Sequence, residues 1–166
     1  MTIVVSKPPL RPSLVGQDTY SIFIGGSIEQ GIAEDWQKLI TDQLEADGSL
    51  IDKKVVVFKP RRDAWDASWP QDPTPGTLFE EQVTWELDHL EISDLNIFYF
   101  SPGTKSPVTL LELGLAAQRR PSVVCCPREY WRYGNVKIVS DRFKVQFTET
   151  LDELYNETVK RIHVGK

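Results

Sequence analysis

Apolar residues along this chain follow two rhythms. Four short runs are apolar without alternation: YSIFIGG (20–26), KVVVFKP (54–60), LNIFYF (95–100) and SVVCCP (122–127). Their length and their β-branched and aromatic content predict strands buried on both faces. Between them the spacing turns helical. In 33–48, Trp36, Ile40 and Leu44 recur every four residues and Gly48 marks a stop. In 77–93, Phe79, Val83, Leu87 and Leu90 form one stripe, and further helices are expected over 107–118 and 150–163. The stretch NVKIVSDRFKVQF (135–147) reads as a fifth strand and its connection.

Continuously apolar strands separated by helices indicate a parallel sheet covered on both sides. The expected architecture is α/β, three-layer and Rossmann-like, with a mostly parallel five-stranded sheet. In such folds ligands bind at the carboxyl ends of the strands, where strand order reverses. That rule selects three irregular segments: GGSIEQG (25–31), PRRDAWDASWPQD (60–72) and SPGTKSP (101–107).

Composition narrows the picture. The 166 residues fit a single domain, expected over 19–166, with 1–18 as a flexible or surface-hugging N-terminal arm and no signal peptide. A net charge of −5 argues against a nucleic-acid polymer as partner, since neutralising phosphates needs a basic face. No apolar run approaches the roughly 20 residues of a membrane span. Cys125 and Cys126 are adjacent on a strand, so they point to opposite faces and suit a reducing, cytoplasmic setting. His89 and His163 lack metal-ligand spacing, and no metal or cofactor is expected.

Each loop offers chemistry. Gly25, Gly26 and Ser27 join a strand to a helix, either as a tight turn or as a place where backbone approaches an anion. Arg61 and Arg62 can grip a carboxylate, a phosphate or a base edge, while Trp65 and Trp69 offer flat faces. The other reading of that loop folds its tryptophans back on the core and pairs an arginine with Asp63 or Asp66.

Glu112 stands apart. With Ser106 as cap and Pro107 in the first turn, it lies too far in to cap the helix. Its i−4 and i+4 neighbours are Val108 and Ala116, so no helix-surface ion pair is available. Leu110, Leu111, Leu113 and Leu115 crowd the same turns. An unpaired carboxylate among them costs several kcal/mol or takes up a proton, a condition common at catalytic sites. A solvated face position stays open as well. Glu86, on the preceding helix, supplies a second acid. Two carboxyls converging on a sugar carbon suit displacement at an anomeric centre, one attacking and the other serving the leaving group.

The blocks FIGGSIEQGIAEDWQ, KPRRDAWDASWPQD, FEEQVTWELDHLEISD, SPGTKSPVTLLELGLAA and CCPREYWRYGNV together resemble the nucleoside 2-deoxyribosyltransferase-like family over roughly residues 20–140. They are more distantly similar to deoxynucleoside 5′-monophosphate N-glycosidases. The resemblance implies a flavodoxin-like sheet, N-glycosidic bond chemistry without a metal, and a homo-oligomer, dimer or higher, with sites completed by a neighbour. It places Glu112 as nucleophile, forming a glycosyl ester, and Glu86 as the acid serving the base. It places Ser106 near the sugar or a 5′-phosphate and Gly26 and Ser27 beside the sugar-phosphate. Asn135 matches a residue lent across a subunit interface.

Two positions depart from the family pattern. Phe23 stands where relatives carry a tyrosine that orients the nucleophile, and Glu86 is one methylene longer than the usual Asp. Lys105, with the Ser27 loop, favours a nucleotide over a nucleoside. The expected function is therefore cleavage or transfer of the N-glycosidic bond of a (deoxy)nucleoside or its 5′-monophosphate, as transferase or hydrolase. A non-catalytic nucleotide-binding module with the same pocket is the alternative.

Overall fold

Among the described residues, six parallel strands form one sheet in the order β1-β3-β2-β4-β5-β6, and five α-helices cover its two faces. The computed structural model describes residues 2–12, 18–27, 35–62 and 68–165. The strands are β1 (Thr2–Ser6), β2 (Tyr20–Gly26), β3 (Lys54–Phe58), β4 (Leu95–Tyr99), β5 (Ser122–Cys125) and β6 (Gln146–Thr148). The helices are α1 (Trp36–Ala46), α2 (Leu78–Ile92), α3 (Pro107–Ala116), α4 (Tyr133–Phe143) and α5 (Leu151–Val164). The result is a three-layer, Rossmann-like and flavodoxin-like architecture.

Alternation along each strand splits the core in two. Ile22, Ile24, Val55, Val57, Ile97 and Tyr99 face one way, against Trp36, Ile40 and Leu44 of α1 and Leu154 and Ile162 of α5. Phe23, Val56, Phe58 and Phe98 face the other way, against Trp85 and Leu90 of α2 and Leu113 and Ala116 of α3. Cys125 and Cys126 follow the same alternation, one in each layer, and both are buried thiols.

Three sequence expectations change. The sheet has six strands because residues expected in an N-terminal arm supply β1, which pairs with β3 from Thr2↔Lys54 to Ser6↔Phe58. Beyond β1 the chain crosses α2: the Trp85 indole donates to the Leu10 carbonyl at 2.8 Å, and Arg11 pairs with Asp88 at 2.6 Å. The stretch 135–147 is mostly helix, not strand. Val136 and Ser140 bury one face of α4, Lys144 ends it in the left-handed region, and only Gln146–Thr148 extends the sheet.

The third change concerns α2. Its buried stripe is Gln82, Trp85, His89 and Leu90, while Phe79 and Val83 are half-buried and Leu87 is exposed. On that stripe the Trp85 and His89 rings stack with centroids 3.9 Å apart, and both pack against Phe58.

The strand order reverses at β2, with β3 on one side and β4 on the other. This switch point lies beside the ends of β2 and β4, at Gly25–Ser27 and Phe100–Ser101.

Candidate active site

Gly25 ends the buried part of β2, and its missing side chain makes room for an acid. A Cβ there would stand 3.1 Å from Oε2 of Glu112 and 2.9 Å from the Phe98 ring. Gly26 is bare for a different reason. A Cβ on it would meet the Trp36 indole at 2.5 Å and the Tyr99 carbonyl at 2.7 Å. The paired glycines thus serve close packing on both sides of the sheet, and neither has a positive φ.

Glu112 is 7% exposed. Among the described residues, none donates a hydrogen bond to its carboxyl. Burial first, and then the charge of Glu86, push its pKa well above the ordinary 4.5. Glu86 is half-buried, and burial raises its own pKa while Gln82 and Arg62 pull it back down. The two carboxyls therefore sit in one field, each disfavouring the charge on the other.

Phe23 lies two residues before Gly25, so it points to the same face of β2, and it is fully buried among Val56, Phe58 and Trp85. It brings no hydroxyl to the acid pair.

On the other side of the switch point stands a cluster of hydroxyls. Ser27 Oγ lies 2.8 Å from Thr104 Oγ1 and 2.5 Å from Ser106 Oγ, and it accepts the Ser101 amide at 3.0 Å. Thr104 Oγ1 donates to the Ser101 carbonyl at 2.8 Å. Ser106 occupies the N-cap position of α3 in the left-handed region, φ 47°, yet its hydroxyl makes no cap bond to the helix. The strained turn commits this serine to Ser27 and Thr104 instead.

Arg62 reaches the acid pair through a glutamine. Its Nε donates to Gln82 Oε1 at 2.7 Å, and its guanidinium pairs with Glu81 and lies over the Trp69 ring. Gln82 Nε2 donates to the Pro60 carbonyl at 2.8 Å and to Glu86 Oε1 at 2.7 Å. Arg61 instead joins Lys59 around Asp35, the N-cap of α1, at 3.9 and 3.7 Å. The Lys105 side chain is exposed, while its carbonyl accepts Tyr130 Oη at 2.7 Å and Trp131 Nε1 at 3.3 Å.

The structure thus gathers Glu112, Glu86, Phe23 and Gly25 on one face, with Gly26, Ser27 and Ser106 beside them and Arg62 one residue removed. Asn135 is exposed on α4, which packs against β6, two strands from the switch point. Asp63 and Trp65 lie outside the described residues, as does Asp66. Asp94, at the opposite end of the sheet, ties β2 to β4 by accepting Ser21 N at 2.8 Å and Ser21 Oγ at 2.7 Å. Gln82 and Thr104 had no place among the expected site residues. Thr104 was signalled only by the hydroxyl content of its loop.

The open parallel sheet, with helices on both faces and its switch point at β2, makes this a three-layer α/β protein of Rossmann-like fold. Residues 19–130 match the model of the family described as nucleoside 2-deoxyribosyltransferase like, and the chain belongs to that family. Among curated proteins, none matches the sequence closely enough to count as a relative. A crystal structure of a conserved protein from Enterococcus faecalis V583 shares the fold, with a TM-score of 0.60 at 13% identity. The likeness covers 86% of this chain and 99% of that one. No helix among the described residues is long and apolar enough to cross a membrane.

Proposed function

We propose that this protein cleaves the N-glycosidic bond of a (deoxy)nucleoside or nucleoside 5′-monophosphate through a glycosyl ester on Glu112. The observation that carries the reading is the buried Glu112 carboxyl, held over Gly25 without a hydrogen bond and under the charge of Glu86. A carboxyl in that position has no structural partner to lose, and its oxygen is free to form a bond to carbon.

In the reaction, a Glu112 oxygen attacks C1′ as the C1′–N bond breaks. The bonding electron pair goes to the base nitrogen, and Glu86 supplies the proton. Water or a second base then takes the sugar from Glu112. The cluster of Ser27, Thr104 and Ser106 hydroxyls favours a 5′-phosphate at the other end of the sugar, with Lys105 on the rim. Arg62 and Trp69 stand on the Glu86 side, where a planar base would lie.

Incubation with deoxynucleosides and their monophosphates, followed by chromatography for free base, tests the reading. Base release lost in Glu112→Ala, with a pentose-sized adduct on the intact wild-type protein, is the expected result. No release from any substrate, or release undiminished in Glu112→Ala, would exclude it.

Phe23 favours a second reading. The acid pair lacks a hydroxyl neighbour from β2, and a pocket without that orienting bond suits a nucleotide-binding module. Its signature is thermal stabilisation by nucleotide without turnover.

A further inference from the structure

The orientation of the Gln82 amide is fixed by its partners. Arg62 Nε can only donate, so the oxygen of Gln82 faces Arg62, at 2.7 Å. The NH2 group must then face the other way, where it meets the Pro60 carbonyl at 2.8 Å and Glu86 Oε1 at 2.7 Å. Both amide hydrogens and the carbonyl are engaged, so a flipped amide would set its NH2 group against the Arg62 donor at one end and its oxygen against two acceptors at the other. Oε1 of Glu86 is thereby held as an acceptor, which suits a charged carboxylate. Glu112 receives no such donor.

We propose that Gln82 is a positioning residue that relays Arg62 to Glu86, keeps Glu86 charged in the resting protein and leaves the pair's one proton on Glu112. The inference rests on the glycosyl-ester reading for its role in catalysis, though not for the proton order itself. The charged groups around Glu86, among the described residues, are Glu112 on α3, Arg62 after β3 and, paired with Arg62, Glu81 on α2. The face of β2 toward the pair contributes only Phe23 and Gly25, which are uncharged. The shifts of the two acids agree with the geometry: burial raises both, Gln82 and Arg62 pull Glu86 part of the way back, and nothing lowers Glu112.

The consequence is a closed proton inventory. Substrate binding moves the proton from Glu112 to Glu86, which arms the nucleophile and the acid together. The Glu112 oxygen then bonds C1′, the C1′–N bond breaks, and Glu86 returns the proton to the departing base. Hydrolysis of the ester by water restores the proton to Glu112 as the sugar takes the hydroxyl. No outside acid or base is consumed, and the nucleophile is stored neutral until a base is present to receive its proton.

The test is a carbon-13 NMR titration of the full chain labelled at the glutamate carboxyl carbons, assigned with Glu86→Gln and Glu112→Gln. Glu86 is expected to ionise at lower pH than Glu112. Gln82→Met should raise the Glu86 midpoint by on the order of one pH unit. Arg62→Met should move it the same way and serves if Gln82→Met does not fold. Glu112 ionising first in the unaltered protein, or midpoints unmoved by both variants, would overturn the inference. Absence of base release would overturn the catalytic reading alone, because the titration order is read without substrate.

Discussion

Glu112 and Gly25 are fitted to each other across the β2–α3 interface: a β-carbon on Gly25 would stand 3.1 Å from Oε2 of Glu112, tighter than side chains ordinarily pack. Gly25→Ala should therefore disturb the acid directly. The methyl would press on the Phe98 ring at 2.9 Å and on Oε2 at 3.1 Å, and a ring packed in the core has little room to yield. The expected cost is about 1–3 kcal/mol of stability. Base release should fall far more than in Gly114→Ala, a control on the same helix as Glu112 where an added Cβ meets nothing within 4 Å. Equal effects from the two substitutions, in thermal unfolding and in turnover, would contradict the fit.

A buried acid with a raised pKa works against the fold at neutral pH. The unfolded chain ionises Glu112 near the ordinary 4.5, while the folded protein holds the proton to higher pH. Stability from this group is therefore full below pH 4.5 and declines as pH rises toward the folded value. Glu112→Gln removes that decline. The variant should be more stable than the parent at pH 7, by roughly 1–3 kcal/mol, and the gap should narrow toward pH 4. Urea unfolding at the two pH values measures it.

His89 should act in the opposite sense. It is buried between Trp85 and Phe58, its Nδ1 lies 2.7 Å from the Trp85 carbonyl, and burial is the main cause that lowers its pKa below 6.5. As pH falls through 6.5 the unfolded chain gains a proton first, so stability is lost down to the folded value. Comparing unfolding free energies of the parent and His89→Gln from pH 7.5 to 5 isolates this slope from that of Glu112. The stability of the parent minus that of the variant should fall toward the acid side, whatever their offset, because the slope from Glu112 is common to both.

The sequence carried the frame of the molecule and half of the site. Four strands were legible because each is an apolar run buried on both faces, and such runs have few other homes. α4 was not, since Val136, Ile138 and Val139 carry β-branched chains while burial selects Val136 and Ser140 at helical spacing. β1 was obscured because an edge strand is only partly buried and prolines follow at once. Glu112 announced itself by lacking any local partner. Gln82 could not, because its partner Arg62 lies 20 residues away and only folding brings them together.

The two cysteines should be chemically silent. Both thiols are buried, and desolvation pushes each pKa up to about 12, so almost no thiolate exists at neutral pH. A disulfide-exchange reagent should report no reactive thiol in the native protein and two in guanidinium. Rapid native labelling of either cysteine would show that β5 opens independently of the sheet.

The segment before β2 should matter more than its position at the start of the chain suggests. β1 covers the edge of β3 over five paired positions, and Leu10 supplies the acceptor for a fully buried tryptophan. Removing residues 1–11 uncovers that edge and leaves the Trp85 N–H without its partner, a loss of about 1–3 kcal/mol from the orphaned donor alone. The ion pair of Arg11 with Asp88 is half exposed on both sides, so Arg11→Ala should cost less than about 1 kcal/mol. Urea midpoints followed by tryptophan fluorescence separate the two effects. A truncation no more harmful than Arg11→Ala would mean that neither the β1–β3 ladder nor the Leu10 carbonyl holds α2 in place.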